Sequence, residues 1–134
     1  MDFSTINWLA VVVAAVSSFA IGSLWYSPVL FSKPWQKESG MTDEKIKSGN
    51  MGKIFGLAFV LSFIISLCLA LLFAGQVGFT DGLMYGFFTG AFWVATAIGI
   101  LYLFEHRSLK LWFINAGYHI VSFTVMGGIL GAWH

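Results

Sequence analysis

Charge is scarce in this chain of 134 residues. Seven Lys or Arg and six Asp or Glu make up 10% of it, and the formal net charge is +1. A soluble domain carries roughly 25% charged residues, so this composition is not that of an ordinary soluble globular domain. The near-neutral balance lacks the basic footprint of a nucleic-acid partner. A single cysteine, Cys68, excludes an intrachain disulfide framework and a multi-cysteine metal site. What is abundant is apolar: 58% of residues are hydrophobic, with 14 Phe and 6 Trp, and a chain so rich in large apolar groups does not stay disordered.

The few charges are segregated. Residues 3–32, 54–80, 82–104 and 111–134 contain no Asp, Glu, Lys or Arg. Each run exceeds the about 20 apolar residues that a helix needs to cross a bilayer core, and none is long enough for two crossings. Continuous stretches such as Leu57-Ala58-Phe59-Val60-Leu61 lack the alternation of a transmembrane β-strand. The first run has no basic segment before it and is longer than the apolar part of a leader peptide, so it reads as a retained helix. The expected fold is therefore an all-α integral membrane protein. It is a four-transmembrane-helix bundle, one membrane domain over residues 1–134, with helices near 6–26, 53–75, 82–103 and 111–132.

All seven basic residues fall on one side of such a bundle. Lys33, Lys37, Lys45, Lys47 and Lys53 lie in or beside the first loop, and Arg107 and Lys110 in or beside the third. The positive-inside rule places those loops in the cytoplasm and both termini outside. So one-sided a distribution also disfavours a dual-topology antiparallel dimer. In the first loop, Pro28 and Pro34 suit an extended exit from the first helix, and Trp25, Tyr26 and Trp35 suit the headgroup region. Thr42 before Asp43-Glu44 has the chemistry of an N-cap and an acidic first turn, which predicts a short interfacial helix. The loop is otherwise a solvated connector, or a segment on which a partner docks. Asp81 is placed to cap the third helix.

Small residues recur at helical spacing. Gly82, Gly86 and Gly90 form a ridge on the third helix, and Gly127 and Gly131 form another near the end of the fourth. Gly52 and Gly56 open the second helix, and Ala14, Ser18 and Gly22 lie on the first. In lipid, such ridges let helices approach and gain dispersion energy. The pattern alone leaves open whether the partner is in the same chain or in a second copy. Bulky Phe87, Phe88, Phe92 and Trp93 beside the ridge suit an oligomer contact or lipid.

Polar groups at bilayer depth are expensive and face the protein interior. Asn115, Tyr118, His119 and Ser122 stand at i, i+3, i+4 and i+7 on the fourth helix and share one face. His119 falls near mid-membrane, toward the cytoplasmic side. An imidazole there can hydrogen-bond a ligand, ligate a metal or haem, or move a proton. The plainer reading is that these groups only tie helices together. Thr89, Trp93 and Thr96 share a face of the third helix and are the expected partners.

The absences weigh on function as well. No helix core contains a carboxylate, which disfavours a proton-coupled cation exporter. No nucleophilic constellation, phosphate loop or metal spacing is present, Cys68 sits among leucines where a thiol is inert, and no catalytic residue or metal ligand is assigned. No particular cofactor is indicated.

Several segments carry a resemblance. Asn7-Trp8-Leu9-Ala10, Leu24-Trp25-Tyr26-Ser27-Pro28, Gly49-Asn50-Met51, Leu109-Lys110-Leu111-Trp112 and Asn115-Ala116-Gly117-Tyr118-His119 together resemble the domain-of-unknown-function family 1761 of small bacterial membrane proteins. The resemblance covers nearly the whole chain. It implies a four-helix protein of the bacterial cytoplasmic membrane and implies no activity or site residues. Three functions are then open. The leading one is a non-enzymatic component, in contact with membrane lipid, that assembles with itself or within a larger membrane complex. The second is a small channel or transporter using the polar face of the fourth helix. The third is a binder of a cofactor or lipid-like ligand through His119.

The charge pattern yields a direct test of orientation. In a Cys68→Ser background, a cysteine at Ser39 should resist a membrane-impermeant maleimide in intact cells and react after permeabilisation. A cysteine at Ser4 should react in intact cells. The reverse labelling would invert the topology.

Overall fold

The computed structural model describes residues 1–134 and is all-helical. Four spans are long and apolar enough to cross a membrane. They are α1 (Trp8–Trp25), α4 (Met51–Phe73), a continuous third span over Phe79–Phe104, and α7 (Leu109–Ala132). The third span consists of α5 (Phe79–Phe88), a wide π-type turn (Thr89–Val94) and α6 (Ala95–Phe104). Their ends fall within three residues of those expected from the charge-free runs. Asn7, Asn50 and Ser108 cap α1, α4 and α7, each side chain accepting the backbone N–H three residues on.

The first loop is more ordered than expected. The short helix after Thr42 is present as α3 (Asp43–Ser48), with the Thr42 hydroxyl accepting from the Lys45 N–H. A further helix, α2 (Ser32–Ser39), replaces the expected extended exit. Pro34 is compatible with it because it lies in the first turn, where a backbone N–H has no intrahelical acceptor to lose. Gly40 ends α2 in the left-handed conformation at φ +75°, and Gln36 donates to Asp43 at 2.8 Å, joining α2 to α3. At the start of the third span, Gly78 is the N-cap residue and no side chain caps it. Asp81 lies inside the first turn, favouring the helix dipole without the capping bond expected of it.

Helix α7 is the hub. It packs on α1, α5, the π-type turn, α6, α4 and α2. It is the least apolar span and the most buried, whereas α4 is the most apolar and among the most exposed. Apolar surface therefore faces outward, as the spans of a multi-pass membrane protein require.

The glycine ridge is consumed inside the chain. A Cβ on Gly82 would collide with the carbonyl of Gly127, one on Gly86 with that of Phe123, and one on Gly127 with that of Gly82. One on Gly90 would stand 3.0 Å from the Ile120 Cα. Third span and α7 thus meet backbone to backbone. By contrast, nothing lies within 4 Å of a Cβ on Gly56, so the ridge at the start of α4 has no partner in the chain.

The bundle divides into two halves along its length. At the end that carries the termini, Ala10, Val11, Ala14, Leu69, Phe73, Phe123, Met126 and Leu130 form one buried apolar cluster. The Ser66 hydroxyl, fully buried, donates to the Val11 carbonyl at 2.8 Å and ties α4 to α1 there. At the basic end, α4 rests on α1 through Phe19, whose ring lies 6.4 Å from that of Phe55 and 6.1 Å from that of Phe59. Bulky contact residues hold helix axes apart, and α4 makes no extensive contact with α6. A gap results in this half.

Gly86→Ala should lower stability by about 2 kcal/mol, because the added methyl overpacks a backbone contact. Gly56→Ala should leave it within about 0.5 kcal/mol of the parent. Equilibrium unfolding in detergent by denaturant titration measures both. Equal stability of the two variants would show that the ridge does not pack within the chain.

Candidate functional site

The gap is a cavity of about 730 Å³ open to the outside. From α1 it is lined by Ser18, Phe19, Gly22 and Ser23, with Tyr26 just beyond the helix. Ser32 and Trp35 of α2 and Ile46 of α3 cover its basic end. Ile54 and Phe55 of α4 form one wall, and Ile98 and Tyr102 of α6 face them. Asn115, Tyr118 and His119 of α7 form the floor. Three of the four polar residues expected to share a face of α7 are thus together. The fourth, Ser122, is one turn deeper, buried at 2% exposure beside Tyr118.

Most of the polar groups here are answered by other protein groups. The Tyr26 hydroxyl donates to Asn115 Oδ1 at 2.7 Å, and Asn115 Nδ2 donates to the Tyr102 hydroxyl at 2.7 Å. One amide thereby links α1, α6 and α7. The Tyr118 hydroxyl donates to the Ser18 carbonyl at 2.9 Å. Its ring fits because Gly22 faces it: a Cβ there would stand 3.3 Å from Tyr118 Cε1. The Trp25 indole donates to the Ile114 carbonyl at 2.8 Å and lies over Gly117. On the far side of α7, the Trp112 indole donates to the Ala95 carbonyl at 2.8 Å, beside Gly99. Aromatic contacts complete the wall: the Tyr26 ring is 5.5 Å from both Trp35 and Tyr118.

His119 differs from Asn115 and Tyr118 on the same face, and in the lining Ser23, Ser32 and the Trp35 indole likewise have no side-chain bond. The His119 ring lies edge-on to Tyr118 with centroids 5.1 Å apart, and it lines the cavity. No protein group hydrogen-bonds to it. Its nitrogens are not sealed off, since no fully buried side-chain nitrogen or oxygen in the chain lacks a partner. The imidazole therefore offers its donor and acceptor to the cavity.

Thr89 and Thr96 are not partners of this face. The Thr89 hydroxyl donates to the Tyr85 carbonyl of its own helix at 2.8 Å, and that of Thr96 to the Phe92 carbonyl at 2.6 Å. Neither lines the cavity; Thr96 and Trp93 are exposed. A short polar side chain in an apolar helix finds its nearest acceptor one turn back, and the π-type turn changes the facing of this segment. The partners of Asn115 are instead Tyr26 and Tyr102. The sequence places Tyr26 at the headgroup region and marks no role for Tyr102. The available signal was the hydroxyl on each ring, near the basic end of its span and level with the single Asn of α7.

Two of the segments that carried the resemblance, 24–28 and 115–119, meet in space. Trp25 and Tyr26 contact Ile114, Asn115, Gly117 and Tyr118 across the bundle. The model of the family described as a protein of unknown function (DUF1761) matches residues 9–131, and the chain belongs to that family. Nothing among curated proteins matches the chain, and nothing among solved structures does.

Asn115→Leu breaks two hydrogen bonds and should destabilise the protein by about 1–2 kcal/mol. His119→Leu breaks none and should change stability by less than about 0.5 kcal/mol. Unfolding in detergent compares them. A His119→Leu loss as large as that of Asn115→Leu would make the imidazole a structural group.

Proposed function

We propose that this family member is a non-enzymatic, multi-pass protein of the bacterial cytoplasmic membrane, with both termini outside, that binds a lipid-like ligand in the cavity between α1, α4, α6 and α7. The observation that carries this reading is His119, whose imidazole lines the cavity without a protein partner while Tyr26, Tyr102, Asn115 and Tyr118 beside it are bonded within the protein. An apolar-walled cleft with a few convergent polar groups is the usual form of a small-molecule site. The volume, about 730 Å³, lies within the range of such sites. Beyond the cavity the cluster around Val11, Leu69, Phe123 and Met126 fills the bundle, which supports a closed-ended pocket over a path through a single chain.

Self-assembly is the second reading. The glycine ridge no longer argues for it, because that ridge is occupied by α7. What favours it is the exposed aromatic strip of Phe87, Phe88, Phe92 and Trp93 on the outer face of the third span.

Native mass spectrometry of protein taken from membranes in mild detergent tests both. The expected result is a reproducible extra mass on the wild type that is lost from His119→Ala. A bare polypeptide mass, or an extra mass indifferent to His119→Ala, would overturn the binding reading. The subunit count in the same spectrum decides on self-assembly.

A further inference from the structure

The lining of the cavity restricts what can enter it. It contains no Asp, Glu, Lys or Arg. The nearby cations are outside the lining: Lys45 and Lys47 flank Ile46, Lys53 precedes Ile54, Arg107 stands over the Tyr102 ring at 5.3 Å, and all four are exposed to solvent. A phosphate or ammonium group drawn to the floor would lose its hydration without meeting a counter-charge, which is strongly unfavourable.

The floor keeps hydrogen-bonding capacity that the protein does not use. The Tyr102 hydroxyl accepts from Asn115, so its own hydrogen remains to be donated. Asn115 uses one amide hydrogen on Tyr102 and keeps the second. His119 adds a ring N–H. The floor thus keeps three unused donors, on Tyr102, Asn115 and His119, beside the imidazole's acceptor nitrogen, and it suits an uncharged group that presents carbonyl or hydroxyl oxygens. Around it the walls are mainly apolar and aromatic, and α4 and α6 make no extensive contact across the cavity. The volume of about 730 Å³ is more than a small headgroup fills.

Resting on the cavity being a binding site, we infer that its ligand is an uncharged lipid. Its headgroup presents carbonyl or hydroxyl oxygens to His119, Asn115 and Tyr102, and it enters from the bilayer between α4 and α6. Phospholipids are disfavoured by the same lining.

The test titrates the purified full-length chain in detergent with defined probes and reads bound mass. Decylubiquinone and dioleoylglycerol are the uncharged probes, and dioleoyl phosphatidylglycerol is the anionic one. At least one uncharged probe should bind about tenfold more tightly than the anionic one. His119→Leu should weaken it about tenfold, the loss of one to two hydrogen bonds. His119→Gln, which keeps a donor and an acceptor, should stay within about threefold, and it serves if the leucine variant folds poorly. Ile98→Trp, which adds bulk at the opening, should weaken binding as well. Anionic binding that equals or exceeds the uncharged binding, and still depends on His119, would overturn the headgroup assignment and leave the pocket in place. Binding of every probe that is unaffected by His119 variants would overturn the pocket and the assignment together.

Discussion

A hydrogen-bonding group in hydrocarbon has no water to turn to, so one carried into the bundle is answered from within the chain or faces a cavity. Helix α7 carries most such groups, and its surroundings follow from that constraint. Asn115 takes one hydroxyl from the end of α1 and gives a hydrogen to one on α6. Tyr118 reaches a carbonyl of α1, and the carbonyl of Ile114 is met by the Trp25 indole. These bonds fix the height of α1 and α6 against α7 more sharply than apolar contact does, because dispersion between smooth helices is tolerant of sliding and a hydrogen bond is not. Glycines make the bonds reachable: Gly22 and Gly117 leave room for the rings that carry the donors.

The same helix is held differently on its other half. There the contact with α5 runs through Gly82, Gly86 and Gly127 with backbone against backbone, and large apolar side chains fill the space toward α1 and α4. One half of the bundle is therefore closed by removing side chains and filling the remainder. The other is bridged by polar side chains that reach across a space. The two solutions have different consequences. Close packing leaves no room for a guest, whereas bridging leaves volume between the bridges.

Architecture was legible in the sequence because hydrocarbon imposes a simple rule on length and charge. Four uncharged runs become four spans, and Thr42 caps α3 as its chemistry predicts. The polar face of α7 was legible too, since i, i+3, i+4 and i+7 spacing acts within one helix. What escaped depends on contacts between segments far apart in the chain. Tyr26 and Asn115 are separated by 89 positions, and no local pattern marks them as a pair. Helical periodicity also failed at the third span, where the π-type turn alters which residues face α7. Thr89 and Thr96 then satisfy themselves on their own helix. The glycine ridge showed that something approaches closely, and only the structure identifies α7 as that partner. Pro34 misled for a positional reason: a residue that breaks the middle of a helix is harmless in the first turn.

The gap itself has an identifiable cause. Gly52 and Gly56 would allow α4 to come close to another helix, yet nothing touches the face of Gly56. What holds this half of α4 away is aromatic bulk: Phe19 of α1 stands against Phe55 and Phe59. Small residues at that contact would let α4 settle toward α7 and seal the floor. The chain instead places three large rings where they prop the helix outward, and it leaves an imidazole without a partner at the bottom of the opening. Either feature alone is compatible with loose packing. Together they describe a space that is kept open over a group able to bind, and that combination supports a pocket more strongly than the cavity volume does.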